Sequence, residues 1–410
     1  MSAVADPLHP ESPEARSIDW RVVAVAGMLL VGGALALQQG FAWRQAALYL
    51  LGALLGLVLY HAAFGFASSW QRFAADGRGA GLRAQMLMLA LASLLFLPVL
   101  SAGSLFGRDV GGALAPVGLS VLVGAFTFGV GMQLGGGCAS GTLYTVGGGS
   151  TRMLVTLLFF IVGSLLGTAH LPWWLTLPSL GRISLPQILG LAGALAAQLA
   201  VFAVIGWATA VIERHRHGDL DRIWAPSRGP ARRWLWQGPW PLILGAVLLA
   251  LLNFATLAVA GHPWAVSFGY ALWGAKAAAA LGVDVGAWEF WTWPGARRAL
   301  EGSLFESNVS VMNFGILAGA LLAAGLAGRF APQRSIALGS LLAATLGGLM
   351  MGYGARLAFG CNIGALFSGI ASGSLHGWVW FAAALAGTCL GVRLRPLFGL
   401  AVWRGSVSRG

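Results

Sequence analysis

Two cysteines in matching sequence surroundings are the residues of this chain best suited to chemistry. Cys138 lies in GGGCASG, residues 135–141, and Cys361 lies in AFGCNIG, residues 358–364. A neutral thiol is a weak hydrogen-bond donor, whereas an ionised thiol is a nucleophile or a metal ligand. Each motif could therefore bind an anion reversibly, take part in a disulfide or carry a persulfide.

The cysteine spacing argues against a metal centre. The chain has only 3 cysteines, with no C-x-x-C pair and no cysteine and histidine cluster of zinc spacing. The third, Cys389, has no counterpart in the first half of the chain, and we interpret it as a packing residue. No metal and no cofactor is predicted.

The two motifs are copies of one unit. Aligning the sequence with itself at an offset of 223 residues places residues 129–143 on 352–366, and seven of the fifteen positions are identical. Internal repeats of this kind are typical of transporters. A glycine-rich packing surface around a buried cysteine would explain either copy alone, but duplication of the whole G-C-x-x-G unit favours a functional site.

Each copy predicts a helix that breaks at membrane depth. A glycine- and serine-rich stretch follows each cysteine, and non-helical backbone within a membrane is tolerated only beside protein or a water-filled cavity. Such breaks direct backbone N–H groups and a positive helix end toward an anion. The candidate anion ligands are two thiols, backbone N–H groups, hydroxyls, an amide and two cations: Cys138, Cys361, Gly137, Gly360, Ser140, Thr142, Asn362, Arg356 and Lys276.

The composition places these motifs in an all-α polytopic membrane protein. Hydrophobic residues make up 58% of the chain and charged residues 9%, whereas soluble domains have about 45–50% and about 25%. The apolar runs are about 20 residues long, which is the length of a helix that crosses a ~30 Å hydrocarbon core. Eleven segments qualify: 20–37, 45–63, 82–100, 116–135, 153–171, 187–212, 241–260, 264–283, 309–328, 336–358 and 377–394.

The charges predict topology and not nucleic-acid binding. The net charge is +12, but the arginines lie almost entirely between the apolar runs, as expected of cytoplasmic loops. They divide the chain into a disordered leader at 1–17, a first membrane repeat at 18–212, a basic cytoplasmic linker at 213–238, a second membrane repeat at 239–395 and a basic tail at 396–410.

Five full crossings after the linker would place the basic tail outside the cell, which contradicts its charge. One segment is therefore predicted to enter the membrane and break instead of crossing it. The candidate is 264–283, which contains Lys276, the only lysine of the chain. An odd number of crossings then separates the two cysteine motifs, and this predicts inverted repeats with broken or re-entrant helices.

Several motifs resemble those of the YeeE/YedE family of sulfur-compound transporters, and the likeness extends from about residue 45 to 400. The matching segments are GGCASGTLY at 136–144, FGCNIGA at 359–365, SGIASGSLHGW at 368–378, SVMNFG at 310–315 and ALWGAK at 271–276. The resemblance implies a multi-pass protein of the bacterial inner membrane with an hourglass-like pathway. It further implies that Cys138 and Cys361 relay thiosulfate inward by hydrogen bonding through their thiols.

One position departs from the family pattern. The family commonly has another cysteine in an SGFCF-like segment, where this chain has FGFAS at 64–68, with Ala67 at the cysteine position. The relay would then have two thiols, or the chain would handle a different sulfur species. Sulfide, sulfite and selenium compounds are the alternative cargoes.

Uptake of a dianion needs a source of energy. Moving two negative charges into a cell against 100 mV costs about 4.6 kcal/mol. No acidic residue lies within a clear predicted span and no nucleotide-binding motif occurs, so we favour a facilitator linked to a cytosolic sulfur-accepting, sulfurtransferase-like protein. The expected partners are thus this protein, a small inorganic sulfur anion and membrane lipid. A thiol redox or sulfur-sensing protein and a simple anion channel stay open as alternatives, and no enzymatic activity is predicted.

Overall fold

The computed structural model describes residues 17–224, 231–333 and 335–402. The predicted leader at 1–17, apart from Ser17, lies outside the described residues, as do much of the basic tail and Arg228 and Arg334 of the loops. Within the described ranges the chain is almost entirely helical. The α-helices are α1 (Trp20–Gly40), α2 (Trp43–His61), α3 (Phe66–Asp76), α4 (Ala80–Ala102), α5 (Leu119–Gly135), α6 (Ala139–Gly147), α7 (Thr151–Leu175), α8 (Leu185–His217), α9 (Ala231–Gln237), α10 (Leu242–Ala260), α11 (Ser267–Ala280), α12 (Glu289–Thr292), α13 (Pro294–Glu301), α14 (Asn308–Ala327), α15 (Leu338–Leu357), α16 (Ser368–Ala371) and α17 (Leu375–Leu394).

Extended structure is confined to four short strands in the described ranges. Strand β1 (Ser104–Leu105) pairs antiparallel with β2 (Arg108–Asp109), and β3 (Pro116–Gly118) pairs antiparallel with β4 (Ser179–Arg182). A π-helical turn, Asn362–Phe367, precedes α16. The prediction of an all-α polytopic protein is confirmed.

Ten helical stretches in the described ranges are long and apolar enough to cross a membrane. Helix α11, which lies in the segment predicted to break, is not among them. It has 14 residues, and at about 1.5 Å per residue such a helix covers only about two thirds of a hydrocarbon core. The ten stretches and the short α11 agree with the prediction of one incomplete crossing.

Glycines set how closely the helices pack. Helices α5 and α15 cross through Gly124 and Gly131 of one and Gly347 and Gly354 of the other, where a methyl group would collide with the facing backbone. Because Gly124 faces Gly354 and Gly131 faces Gly347, the two helices run antiparallel. These helices carry the two copies of the motif into the same region of the protein.

The helices of the two halves correspond in order. Helices α2 to α7 are matched by α10, α11, α14, α15, the π turn with α16, and α17. Their packing is reciprocal, because α5 packs on α17 as α15 packs on α7, and α2 packs on α14 as α10 packs on α4. Inverted repeats would produce both this reciprocity and the antiparallel crossing of α5 and α15, and they stay a prediction.

One large difference separates the halves. Residues 77–79 join α3 to α4, whereas residues 281–307 join the corresponding α11 and α14. We call this longer connection the 281–307 segment. It contains α12 and α13, and its side chains Phe290 and Trp291 are buried against the helices below. A separate small core forms there, with Leu171 of α7 and Leu272 of α11.

The boundary of the basic linker differs from its prediction at 213–238. Helix α8 continues to His217, because the Glu213 side chain is anchored by other elements. This carboxylate is fully buried and accepts hydrogen bonds from Arg78, Arg83 and the Gly79 N–H. Glu213, which lies just outside the predicted span 187–212, is therefore a buried acidic residue at the end of α8.

Candidate functional site

The two cysteines occupy the same structural position in the two halves. Each is the N-cap residue of the element that follows it, Cys138 before α6 and Cys361 before the π turn. Both have extended backbone, and each sulfur accepts a backbone hydrogen bond, at 3.3 Å from the Gly141 nitrogen and at 3.5 Å from the Ile363 nitrogen. N-cap positions leave backbone donors unpaired, so both sulfurs lie at the positive end of a helical segment.

The chain turns sharply before each cysteine, through a left-handed residue that is Gly136 in the first copy and Phe359 in the second. Gly136 ends α5 with a φ of 88°, in the left-handed region that favours glycine. The preceding carbonyls are capped by Arg152, which donates to the Leu134 and Gly135 oxygens at 2.7 Å each. In the second copy, the Trp380 indole donates to the Gly360 carbonyl. Different side chains thus stabilise the same break in the two halves.

The two cysteine segments lie next to one another. Helix α6, which follows Cys138, packs against the π turn, which follows Cys361. Cys138 is 2% exposed and Cys361 is fully buried. Both thiols are therefore shielded from solvent in this structure.

Tyr270 of α11 joins both cysteines and was missed by sequence reasoning. Its hydroxyl donates to the Ala139 carbonyl, the first residue of α6, at 2.8 Å, and it is an electrostatic neighbour of both thiols. The side chain is fully buried, with the Phe160 ring at 4.8 Å in an edge-on arrangement. An aromatic residue in an apolar run carries no signal of such a role; only its position in the predicted broken segment singled out that region.

The predicted hydroxyl ligands lie beside Cys138. The Ser140 hydroxyl is 3.5 Å from the Cys138 sulfur, so it faces the same space. The Thr142 hydroxyl donates its proton to the Cys138 carbonyl at 2.8 Å. Thr142 therefore stabilises the first turn of α6. Because its hydroxyl proton is already donated, only oxygen lone pairs are left, and these do not attract an anion.

The predicted glycine and amide ligands differ in availability. The Gly360 N–H donates to the Ala355 carbonyl, so it is occupied within the break, whereas Gly137 lies between the αL residue Gly136 and the N-cap Cys138. Asn362 follows Cys361 and is fully buried, and neither its amide nitrogen nor its oxygen has a hydrogen-bond partner among the described residues. A buried amide without partners is costly, and a transient polar ligand would satisfy it.

Arg356 lies on the Cys361 side of the site. It is 8% exposed and lies at the end of α15, five residues before Cys361. The guanidinium carbon is 5.7 Å from the centre of the Phe268 ring and 5.8 Å from that of Phe290. The repeat alignment puts Gln133 at the corresponding place in the first half, a residue without charge.

Lys276 does not join this group. Its ammonium donates to the Leu300 carbonyl at 2.9 Å and to the Gly302 carbonyl at 2.6 Å. These carbonyls lie at the end of α13, where a cation is favoured by the helix dipole. The contacts of Lys276 tie the end of α11 to the 281–307 segment.

The remaining predicted positions are Ala67 and Cys389. Ala67 lies in the first turn of α3, where it is 7% exposed and its carbonyl accepts a hydrogen bond from the Gln133 amide at 3.1 Å. Cys389 is a free, exposed cysteine on α17. It is not part of the cysteine pair. Because it is exposed on the helix surface, the prediction that it is a packing residue was wrong.

Comparison with known proteins identifies the family. The model of the family described as Sulphur transport matches residues 61–390, which includes both cysteine motifs. This chain belongs to the Sulphur transport family. Its ten candidate spans make it a multi-pass bacterial membrane protein.

Three relatives of this family member are informative. The chain is 29% identical over 198 residues to the Probable transporter YedE of Escherichia coli (strain K12), a match that covers 48% of this chain and 44% of that protein. It is 31% identical over 191 residues to the Probable transporter YedE of Salmonella typhimurium, covering 46% and 43%. The chain thus spans less than half the length of these two relatives. It is 26% identical over 348 residues to the Thiosulfate transporter TsuA of Spirochaeta thermophila, covering 80% of this chain and 92% of TsuA.

Proposed function

We propose that this protein imports thiosulfate, or a closely related small inorganic sulfur anion, across the bacterial inner membrane. The observation that carries the proposal is the pairing of Cys138 and Cys361, each at the N-cap of a broken segment, with the two segments packed against each other. The name of the relative TsuA, a thiosulfate transporter matched over most of its length, supports the choice of anion.

The pathway runs through two inverted repeats and narrows at the cysteines like an hourglass. An anion that enters from outside meets Arg356, passes Cys361 and Asn362, and then reaches Cys138 and Ser140. Neutral thiols donate weak hydrogen bonds, so they replace part of the hydration shell without binding the anion too tightly to release it. The Asn362 amide and the Ser140 hydroxyl supply further donors at the two steps.

The relay has two thiols, because Ala67 stands where a third would be. The Ala67 carbonyl accepts a hydrogen bond from the Gln133 amide, so this amide donor is not available to an anion. The anion therefore leaves toward the cytoplasm after Cys138 without a further thiol step.

Import is driven by consumption of the anion inside the cell. Two negative charges moved inward against 100 mV cost about 4.6 kcal/mol, or about 2.3 kcal/mol each. The buried Glu213 is fully engaged with arginines, which leaves it poorly suited to carry a coupled proton. A cytosolic sulfurtransferase-like acceptor is the proposed partner, and membrane lipid covers the exposed apolar side chains of α1 and α8.

Uptake of radiolabelled thiosulfate by cells that lack other sulfur importers tests the proposal. Cys138→Ala and Cys361→Ala should each abolish uptake at matched expression. Cys389→Ala, a cysteine away from the pair, should leave uptake unchanged. Wild-type uptake in both of the first two variants would refute the relay.

A further inference from the structure

Arg356 is a buried cation without a counter-ion. Its Nε has no hydrogen-bond partner, and no carboxylate in the described ranges pairs with its guanidinium. Burying an unpaired charge costs several kcal/mol, which two aromatic faces offset only in part. An ionisable residue buried in a membrane protein indicates a functional site. The hydrogen-bond donors of this guanidinium would be satisfied by a bound anion.

The surroundings of Arg356 come from three separate elements. Phe268 lies in the first turn of the short helix α11, and Phe290 belongs to the 281–307 segment, which has no equivalent in the first half. On α7, Gly167 leaves room for the arginine stem, because a methyl group there would lie 2.6 Å from the Arg356 Cβ. The arginine is thus enclosed by a helix pair on one side and by the longer connection on the other.

Two contacts hold the 281–307 segment over this arginine. Lys276 binds the carbonyls at the end of α13, and the Trp291 indole, one residue after Phe290, donates to the Thr168 hydroxyl at 3.1 Å. Thr168 follows Gly167 on α7, so the second contact lies beside the arginine. The segment also shares a small apolar core with α7 and α11, which keeps it packed over this region.

We propose that Arg356, Phe268 and Phe290 form an outer recognition site for sulfur oxyanions, which the 281–307 segment covers. The inference rests on the proposed function and adds a basis for the selection of the transported anion. A planar guanidinium recognises two oxygens of one anion at once, while the aromatic rings exclude water around it. An anion held in this way presents its remaining atoms to the neighbouring Cys361.

This site discriminates by oxygen content. Thiosulfate, sulfite and sulfate each offer at least two oxygens to the guanidinium, whereas hydrosulfide offers none. The outer site therefore favours oxyanions over hydrosulfide, and the thiols further along the path select among the oxyanions.

Equilibrium binding of radiolabelled thiosulfate to the purified full-length protein in detergent tests the site. Arg356→Gln should weaken binding by roughly 10-fold or more, since a charged hydrogen-bonding pair is lost. Arg356→Lys keeps the charge but not the planar pair of donors. Its affinity for thiosulfate should lie between that of the wild type and that of Arg356→Gln. Arg297→Gln is the matched control, because Arg297 carries the same charge within the 281–307 segment but pairs with Glu301 at the surface.

Phe290→Leu provides a second variant that keeps the arginine and the apolar core. It should weaken binding by a smaller factor than Arg356→Gln, and excess unlabelled sulfite and sulfate, but not hydrosulfide, should compete with the label in the wild type. Equal binding by wild type, Arg356→Gln and Phe290→Leu would overturn the proposal, as would competition by hydrosulfide at the same concentration as sulfite.

The binding assay also separates this site from the relay. Cys138→Ala should bind thiosulfate like the wild type, because its thiol lies beyond the outer site, yet it should not transport. Normal transport by the cysteine variants with binding lost in Arg356→Gln would refute the relay and retain the site. Lost transport in the cysteine variants with unchanged binding in Arg356→Gln would retain the relay and refute the site.

Discussion

Replacing Tyr270 by Phe removes one hydroxyl from the centre of the cysteine pair. The hydroxyl donates to the Ala139 carbonyl at 2.8 Å and is fully buried. The substitution removes this hydrogen bond to the first residue of α6, while the ring keeps its contacts with Phe160. Because Ala139 directly follows Cys138, the change acts on the segment that positions the inner thiol.

The size of the effect follows from the burial of this hydrogen bond. A buried hydrogen bond contributes about 0.5–1.5 kcal/mol. A loss of about 1 kcal/mol from the placement of α6 lowers the equilibrium constant between the placed and displaced positions of Cys138 by about 5-fold. Thiosulfate uptake by Tyr270→Phe should fall by up to this factor at saturating substrate.

Tyr49→Phe is the matched control for this experiment. The Tyr49 hydroxyl also donates to a backbone carbonyl, that of Leu29, at 3.0 Å, but it joins α1 to α2 away from the cysteines. Initial rates should be compared at equal amounts of protein in the membrane. Equal uptake by the wild type and Tyr270→Phe, or an equal loss in both variants, would refute the positioning role of Tyr270.

Three further substitutions test the fold and the two-thiol path. Glu213→Gln should lower the free energy of unfolding in detergent by about 1–3 kcal/mol, since two arginines lose their buried carboxylate, whereas Glu301→Gln in an exposed pair should cost under about 0.5 kcal/mol; equal melting temperatures would contradict this. Gly354→Val should prevent stable folding because the side chain would enter the α5 backbone, whereas Gly32→Val, with open space at that position, should fold; a well-folded Gly354→Val protein would show that the α5 and α15 crossing is wrong. Ala67→Cys should keep thiosulfate uptake within about 2-fold of the wild type, since a weak donor adds little, and a large gain would show that the path lacks a needed step.

The repeated motif made the cysteine pair predictable. Cysteine is rare in this chain, so its recurrence within G-C-x-x-G located both breaks, and the structure has a break at each position. The short α11 was predictable from a conflict between loop charges and the number of crossings. Both predictions depend only on the spacing of motifs and charges along the chain, which can be measured in the sequence.

The side chains that complete the site depend on contacts between distant segments. Tyr270 reaches Ala139 across 131 positions, and Arg152 caps the helix before the break from the start of the next helix. Neither residue lies in a distinctive spacing pattern. The sequence alone does not indicate which helix faces pack against each other. Lys276 illustrates the same limit, because a lone lysine in an apolar run suggested an anion ligand, yet its ammonium binds two backbone carbonyls.

The two halves of the proposed path differ most at Arg356 and its counterpart Gln133. Gln133 is neutral and its amide is occupied by the Ala67 carbonyl, whereas Arg356 is charged and has an unpaired Nε. The outer half therefore attracts an anion more strongly than the inner half. Such an asymmetry cannot drive accumulation, because a passive path lowers the barrier equally in both directions. It raises occupancy of the outer site at low external concentration, so net import follows only while a cytosolic acceptor keeps the internal concentration lower still.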